Sequence, residues 1–359
     1  MMILTLKVLV FLFGNLIVIW TVMTAVRTFV LPRGENAFLS RVVFRSMRYL
    51  FLFFARRANT WHDQDRILAY YAPIVLLMLP FTYLAMIGIG FTCIHWALGA
   101  GDLFRAFVLS GSSMLTLGIA SSQEAPLIFF MFLEAAIGLV LVSVLIAYLP
   151  TIYSAFSARE KLVSMLEVSA GTPPSSLTFL TFVHTNRNDF TYLRDVWPDW
   201  EEWFTLIEES HTSLVAINFL RSQVPERNWL TAAGVILDTA SLIQSTIDTP
   251  PQVEAAFCIR AGYLSLRRIA SFFNVTFDEN PSPTDEISIT RDEFMEVYQQ
   301  LKEAGVPLKP DAEQCWRDYA GWRVNYDRPL IALARIITAP YAPWVSDRAL
   351  SDMQEIPGL

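Results

Sequence analysis

Cysteine and charge are both scarce in this sequence. The three cysteines, Cys93, Cys258 and Cys315, lie far apart, and the first of them is in an apolar segment. Their spacing predicts neither a disulfide framework nor a metal site, and a reducing cytosol fits the second half of the chain. Charged residues make up 17% of the 359 residues and hydrophobic residues 53%, so we expect a membrane part joined to a soluble part.

Motifs of catalysis and of nucleotide binding are missing. The sequence contains no H-E-x-x-H zinc motif, no phosphate-binding loop, no G-x-S-x-G motif and no paired cysteines. The acidic segment 278–286 lacks the alternating ligands and the glycine of a calcium loop, and a solvated linker explains it better. We therefore predict no enzymatic activity, no cofactor and no metal.

The two halves of the chain differ in net charge. Residues 1–154 contain ten Lys or Arg and six Asp or Glu, a net charge of +4, whereas residues 155–359 contain 17 and 28, a net charge of −11. Nucleic-acid-binding domains are usually basic. The acidic second half therefore argues against nucleic acid as a partner.

Three apolar segments are long enough to cross a membrane, which takes about 20 residues. They cover residues 3–23, about 67–98 and about 127–153. We interpret the first as a retained transmembrane helix and not as a signal peptide, because it is long and no small-residue cleavage site follows it. In the second, Gly88 and Gly90 offer a surface on which another helix packs closely.

Residues 26–66 form a basic loop with eight arginines and only three acidic residues. By the positive-inside rule this loop is cytoplasmic, which places the N-terminus outside and the residues after the third span in the cytoplasm. Arg41, Arg45 and Arg48 recur there at helical spacing beside apolar residues. We predict an amphipathic helix at the inner lipid surface, with these arginines near anionic headgroups. A helix packed on the soluble domain is the alternative.

Residues 102–127, between the second and third apolar segments, are too few and too polar to span a bilayer. A half-length apolar run, 103–109, is followed by a turn rich in serine and glycine. Irregular backbone at membrane depth is tolerated only where it is buried in protein or lines a watery cavity, so we predict a re-entrant loop that lines a pore. Asp102 can cap a short helix ending at Gly111, whose C-terminal carbonyls would attract cations.

The order of helix, re-entrant loop and helix resembles the pore module of the tetrameric potassium-channel superfamily. Segment 112–120, S-S-M-L-T-L-G-I-A, resembles the filter of that family, whose usual core is T-V-G-Y-G. The first three filter positions match and the last two depart; the five residues are Thr116, Leu117, Gly118, Ile119 and Ala120. The resemblance implies a homotetramer that conducts monovalent cations, potassium or sodium, with ions held by the backbone carbonyls of the filter. Because the outer positions depart, we expect weak potassium preference, or a pore that stays closed without a signal.

The third apolar segment contains one ionisable residue, Glu134. Such residues usually face a bundle interior or water and mark an ion path. Gly138 lies one helical turn further on the same face, and the family that the pore module resembles often has a hinge glycine there. Two interpretations stay open: four copies of Glu134 form an acidic ring that lines the pore, or a protonated or paired Glu134 holds helices together.

The second half consists of amphipathic segments separated by proline-containing breaks, with little strand-like alternation. Segment 156–170 continues the third span into a linker, and further helices are predicted over 177–185, 199–223, 228–247, 252–273, 291–304, 312–319 and 328–337. Three tryptophans, Trp197, Trp200 and Trp203, stand beside acidic residues and His211, and a core with a hydrated acidic face explains them. We predict an all-helical domain over residues 155–359.

The predicted fold is all-α, with three transmembrane helices, a re-entrant pore helix and loop, and a cytoplasmic helical domain. The predicted divisions are 1–25, 26–66, 67–154 with the loop at 102–124, and 155–359. Stretches of the second half also resemble uncharacterised bacterial proteins with a potassium-channel-like pore, which implies a bacterial inner membrane. The leading hypothesis is a cation channel that the helical domain gates or assembles. The alternative is a non-conducting membrane-anchored scaffold or sensor with a relic pore fold.

Overall fold

The structure is a computed structural model and describes residues 2–31, 38–58 and 60–350. Parts of the predicted divisions fall on residues 1, 32–37, 59 and 351–359, which lie outside the described residues. The described residues form helices and contain no named β-strand. In chain order the α-helices are α1 (Met2–Phe29), α2 (Phe38–Ala55), α3 (Trp61–Ala69), α4 (Tyr71–Leu98), α5 (Leu103–Met114), α6 (Ala125–Ala170), α7 (Ser176–Arg187), α8 (Trp197–Ser213), α9 (Trp229–Ser245), α10 (Val253–Phe272), α11 (Arg291–Glu303), α12 (Ala312–Arg323), α13 (Asp327–Ile337) and α14 (Asp347–Leu350).

The chain divides into two compact units. The first comprises Met1–Arg57 and Tyr70–Ser154, and the second comprises Ala58–Ala69 and Ala155–Leu359. Helix α3 therefore belongs to the second unit, although the sequence analysis divided its residues between the basic loop and the second span. An ion pair between Asp65 of this helix and Arg221 connects it to the second unit.

Three stretches are long and apolar enough to cross a membrane, as the sequence predicted. They are Met2–Phe29, Trp61–Leu98 and Ala125–Ala170. The second consists of α3 and α4 in succession, and its apolar helix proper starts at Tyr71, a few residues later than predicted. These helices indicate a membrane protein.

In the first unit, α1 packs closely on α4 through two glycines. A Cβ atom added at Gly14 would lie 2.6 Å from the carbonyl oxygen of Gly90, and one added at Gly90 would lie 2.6 Å from Cγ2 of Val18. Only glycine permits such an approach of two helix backbones. Gly90 therefore packs on another helix as predicted, and Gly88 does so on α5, where an added Cβ atom would lie 3.5 Å from the methyl carbon of Met114.

The second unit has a continuous hydrophobic core, and its helices α7 and α9 to α13 match the predicted ones within a few residues. The helix predicted over 199–223 ends at Ser213, and a 3-10 helix, Val215–Phe219, follows. The buried guanidinium of Arg159 donates hydrogen bonds to the carbonyls of Ile217 and Leu220. The α-helix itself closes at Leu214, whose N–H donates to the carbonyl of Ser210 at 2.8 Å, and the side-chain amide of Asn218 donates to the carbonyl of His211 at 2.8 Å.

Aromatic residues of α8 fill this core. Trp197, Trp200 and Trp203 are buried, which confirms the prediction of core tryptophans. His211 is fully buried as well, with its ring 4.4 Å from that of Trp229. It therefore belongs to the core together with these tryptophans.

Candidate functional site

Helix α5 begins directly after Asp102. The Asp102 carboxylate accepts a hydrogen bond from the backbone N–H of Arg105 at 2.8 Å, which satisfies one of the free donors at the start of the helix. The predicted cap is therefore confirmed. The helix runs to Met114, beyond the predicted end at Gly111, and Leu115 is its C-cap residue.

The C-terminus of α5 is closed by the residues that follow it. The N–H of Leu117 donates to the carbonyl of Ser112 at 2.9 Å, and the N–H of Thr116 donates to that of Ser113 at 3.1 Å. Thr116 has a φ of 54°. Two such bonds around a left-handed residue form a Schellman helix end, where glycine is the usual residue. A threonine in this conformation costs about 1–2 kcal/mol, so the tip of the loop is strained.

The tip of the loop, residues 115–119, is exposed. Gly118 has a φ of 68°, and nothing lies within 4 Å of the position of a Cβ atom there. Within the part of the chain that the structure describes, no group donates a hydrogen bond to the carbonyl oxygens of Thr116, Leu117 or Gly118. These three oxygens are therefore available as ligands.

The side chain of Ser112 on α5 closes the loop by binding the main chain of Ala120. Its hydroxyl donates to the carbonyl of Ala120 at 3.0 Å and accepts from the N–H of Ala120 at 3.0 Å. Ala120 also packs beside a small buried cluster that includes Leu109 and Leu127. Ala120, which departs from the usual filter glycine, is thus fixed in place by a side chain of α5.

Glu134 joins the three helices of this region. Its carboxylate is 2.9 Å from Nε2 of His95 on α4 and accepts a 2.5 Å hydrogen bond from the hydroxyl of Ser110 on α5. Glu134 and His95 are both 0% exposed. A carboxylate enclosed within one chain does not face a pore, so the acidic-ring interpretation is corrected in favour of the paired glutamate that holds helices together.

Gly138 lies on the same face of α6 as Glu134. A Cβ atom at Gly138 would lie 2.5 Å from the carbonyl oxygen of Met114, the last residue of α5. The two residues thus share a face as predicted, and α5 covers that face. Close packing against the end of α5 explains this glycine, and its function as a hinge stays a prediction.

Helix α2 carries the three arginines that were assigned to lipid headgroups. Arg41 and Arg45 are exposed and Arg48 is half-buried, whereas Leu39 and Val43 on the other side of the helix are buried. The predicted amphipathic helix is present. It packs within the first unit, where the hydroxyl of Tyr71 donates to the Phe44 carbonyl at 3.0 Å.

The second unit contains a buried polar network centred on Asp238. The Asp238 carboxylate accepts from the hydroxyls of Tyr319 and Tyr326, at 3.0 and 2.8 Å, and from the guanidinium of Arg323 at 2.6 and 2.7 Å. Burial and the Asp238 charge raise the pKa of both tyrosines well above its usual value. Among the described residues, no group of three His, Cys, Asp or Glu is placed to hold a metal ion.

Sequence reasoning missed the two serines that organise the site, Ser110 and Ser112. Serine is common near helix ends and carries no signal of a distant partner by itself. A signal was present for the pair of His95 and Glu134, because ionisable residues in apolar helices usually pair with one another.

No protein-family model, curated protein or solved structure matches this chain. The likeness to the potassium-channel pore therefore rests on the helix order and on the residues from Ser112 to Ala120.

Proposed function

We propose that the protein is a cation channel in which α5 and residues 115–124 enter the membrane between α4 and α6 as a re-entrant pore segment. The observation that carries this proposal is the set of three carbonyl groups, at Thr116, Leu117 and Gly118, for which the described chain supplies no donor. They follow the C-terminus of α5, where the helix dipole is negative and favours cations. Rings of backbone carbonyls replace the hydration shell of an ion in known filters.

The proposed channel is a homotetramer with weak selectivity between potassium and sodium. Thr116, Leu117 and Gly118 match the filter that they resemble, whereas Ile119 and Ala120 do not. The main chain of Ala120 is bound to Ser112, so its carbonyl is already occupied. A filter with fewer carbonyl sites in series discriminates less between potassium and sodium, because each site contributes its own preference for one ion.

We further propose a bacterial inner membrane as the location, with the N-terminus outside and the second unit in the cytoplasm. The arginines of the basic loop support this orientation by the positive-inside rule. In it, Arg41, Arg45 and Arg48 contact anionic headgroups at the inner surface. The helical second unit then gates or assembles the pore.

A second candidate is a non-conducting, membrane-anchored scaffold or sensor. The Schellman end of α5 favours it, since this motif accounts for the left-handed backbone of Thr116 without any bound ion. In that case function resides in the second unit and its partners.

Ion flux from liposomes tests the proposal. Purified protein is reconstituted under potassium or sodium gradients, and the unchanged chain is compared with Gly118→Val. Valine is strained at a φ of 68°, so the substitution deforms the tip without filling any occupied space. The matched control is Gly111→Val, because a Cβ atom at Gly111 also meets nothing within 4 Å but lies in a regular helix.

Flux that is lost in Gly118→Val and kept in Gly111→Val supports conduction through the loop. Flux that survives in both variants places the ion path elsewhere. No flux from the unchanged chain under varied voltage, pH and calcium rejects the channel and favours the scaffold.

A further inference from the structure

Two arginines with little solvent exposure, Arg159 and Arg221, connect one short segment of the second unit to remote parts of the chain. Residues 214–221, here called the coupling segment, contain the 3-10 helix Val215–Phe219 and an extended Leu220. The segment lies between α8 and α9, and both of its arginine contacts bring in parts of the chain that are remote in sequence.

The first contact comes from α6. Arg159, in the part of α6 that belongs to the second unit, is 0% exposed. Its Nη1 donates to the carbonyl of Ile217 at 2.8 Å and its Nη2 to that of Leu220 at 2.9 Å. The indole N–H of Trp203 donates to the carbonyl of Arg159 at 2.9 Å. The extension of α6 is thus tied to the coupling segment by its side chain and to α8 by its backbone.

The second contact reaches α3. Arg221, at the end of the coupling segment, forms an ion pair with Asp65 of α3 and donates to the carbonyl of Thr338 at 2.9 Å. The side chains of Arg221 and Asp65 are only 10% and 6% exposed. Between residues 61 and 69, all of which the structure describes, this pair is the one side-chain hydrogen bond from α3 to another element. One substitution in this pair therefore removes the side-chain hydrogen bond between α3 and the coupling segment, while the burial of Leu68 is left as it is.

These two elements are also where the chain passes between its units. The division falls at 57/58, at 69/70 and at 154/155. The first two positions flank α3, and the third lies within α6. The chain therefore enters α4 directly after α3, and it enters the second unit along α6. The coupling segment contacts both α3 and this part of α6.

We propose that the coupling segment is the element by which the helical unit controls the pore. Through Arg221 and Arg159 it holds α3 and the extension of α6 at a fixed distance from each other. A movement of the coupling segment therefore displaces α3, which precedes α4, and α6 together. The consequence for conduction rests on the proposed function. The mechanical tie itself does not, because all of its contacts lie within the second unit.

A distance measurement on the full-length chain tests the tie. Spin labels are placed at His62→Cys on α3 and Val168→Cys on α6, two exposed positions of the second unit. The three native cysteines are replaced by serine or alanine, and labelled chains are diluted with unlabelled ones in lipid nanodiscs. The width of the label-to-label distance distribution then reports whether α3 is held relative to α6.

The test variants are Arg221→Met and Asp65→Asn, and the matched control is Arg268→Met. Arg268 also forms an ion pair, with Glu208, but its side chain is 62% exposed, and exposed pairs contribute little. Asp65→Asn keeps the shape of the side chain and leaves the core of the second unit unchanged. It therefore reports on the tie even if Arg221→Met folds poorly.

We expect a narrow distribution in the unchanged chain and in Arg268→Met, and a distribution at least twice as wide in Arg221→Met and Asp65→Asn. Equal widths in all four would overturn the proposal. Flux measured on the same samples separates the two inferences. If the unchanged chain conducts, breaking the tie changes the conducting fraction; if it does not conduct while the distances broaden, the tie stands and the channel proposal fails.

Discussion

The hydroxyl of Ser112 forms hydrogen bonds with both main-chain polar groups of Ala120, at 3.0 Å each way. One side chain thus closes the loop whose tip is proposed to bind ions. The tip itself is exposed and has few contacts to hold it. Its geometry therefore depends on this closure and on the helix end at Thr116.

Ser112→Ala removes both of these bonds and leaves the main-chain N–H and carbonyl of Ala120 without the serine hydroxyl as partner. We expect residues 115–124 to exchange their amide hydrogens faster and the free energy of unfolding to fall by about 1–2 kcal/mol. Hydrogen exchange followed by mass spectrometry, with denaturant unfolding, measures both effects. The control is Ser113→Ala, because the Ser113 hydroxyl bonds only to Leu109 of its own helix. Equal exchange in the two variants would contradict the closure.

Glu134→Leu tests the assignment of this glutamate to helix packing. The substitution leaves Nε2 of His95 without its partner and removes the acceptor of the short hydrogen bond from Ser110. We expect a loss of about 2–3 kcal/mol in unfolding free energy, since buried polar groups lose their partners. Glu124→Leu, at an exposed position, should change stability by less than about 0.5 kcal/mol. Unchanged stability in Glu134→Leu together with reduced flux would restore the acidic-ring interpretation.

Gly14→Ala tests the crossing of α1 and α4. Its Cβ atom would meet the Gly90 carbonyl at 2.6 Å, so the helices have to separate. We expect a destabilisation of about 1–3 kcal/mol, the usual range for overpacking, measured by thermal unfolding in detergent. Gly111→Ala adds the same methyl group in open space and should leave the unfolding temperature unchanged or raised. A neutral Gly14→Ala would mean that the two helices are not in contact.

His211 gives the second unit a dependence on pH. Burial, and then the charge of Arg159, lower the pKa of His211 well below its usual value, so the folded protein keeps it neutral. The unfolded chain binds a proton at this residue below a pH of about 6.5. Stability is therefore fully present above that pH and falls as pH drops below it, by up to about 1.4 kcal/mol per pH unit.

Urea unfolding at pH 7.5, 6.5 and 5.5 measures this slope. His211→Gln, which keeps an acceptor for Arg159, should have a smaller loss of stability between pH 6.5 and 5.5 than the unchanged chain. His62→Gln, at an exposed position, should keep the full slope. The same slope in all three chains would assign the acid sensitivity to other groups.

Much of the helical framework could be predicted from the sequence. Long apolar runs mark α1, α4 and α6, and prolines and caps such as Asp102 mark where helices begin and end. Helix α3 was not predicted, because nine mostly polar residues show no strong periodicity. The 3-10 helix after α8 is bound by Arg159, a residue far away in sequence, so no local pattern predicts this contact.

The candidate site was predicted only in part. The filter segment and the pairing of Glu134 were both among the interpretations that the sequence allowed. The contacts of Ser110 and Ser112 were not, because a hydroxyl group can bond to any nearby acceptor and its partner depends on how the helices meet. Tertiary packing of this kind decides which of two local interpretations applies.

The contact of Gly14 with Gly90 also orders events during synthesis. Helix α1 enters the membrane when α4 does not yet exist, because the ribosome makes the chain from its N-terminus. Until residues near Leu98 have been added, the surface of α1 at Gly14 lacks its partner Gly90 and contacts lipid or another helix. The arrival of α4 closes this interval and completes the glycine crossing between α1 and α4.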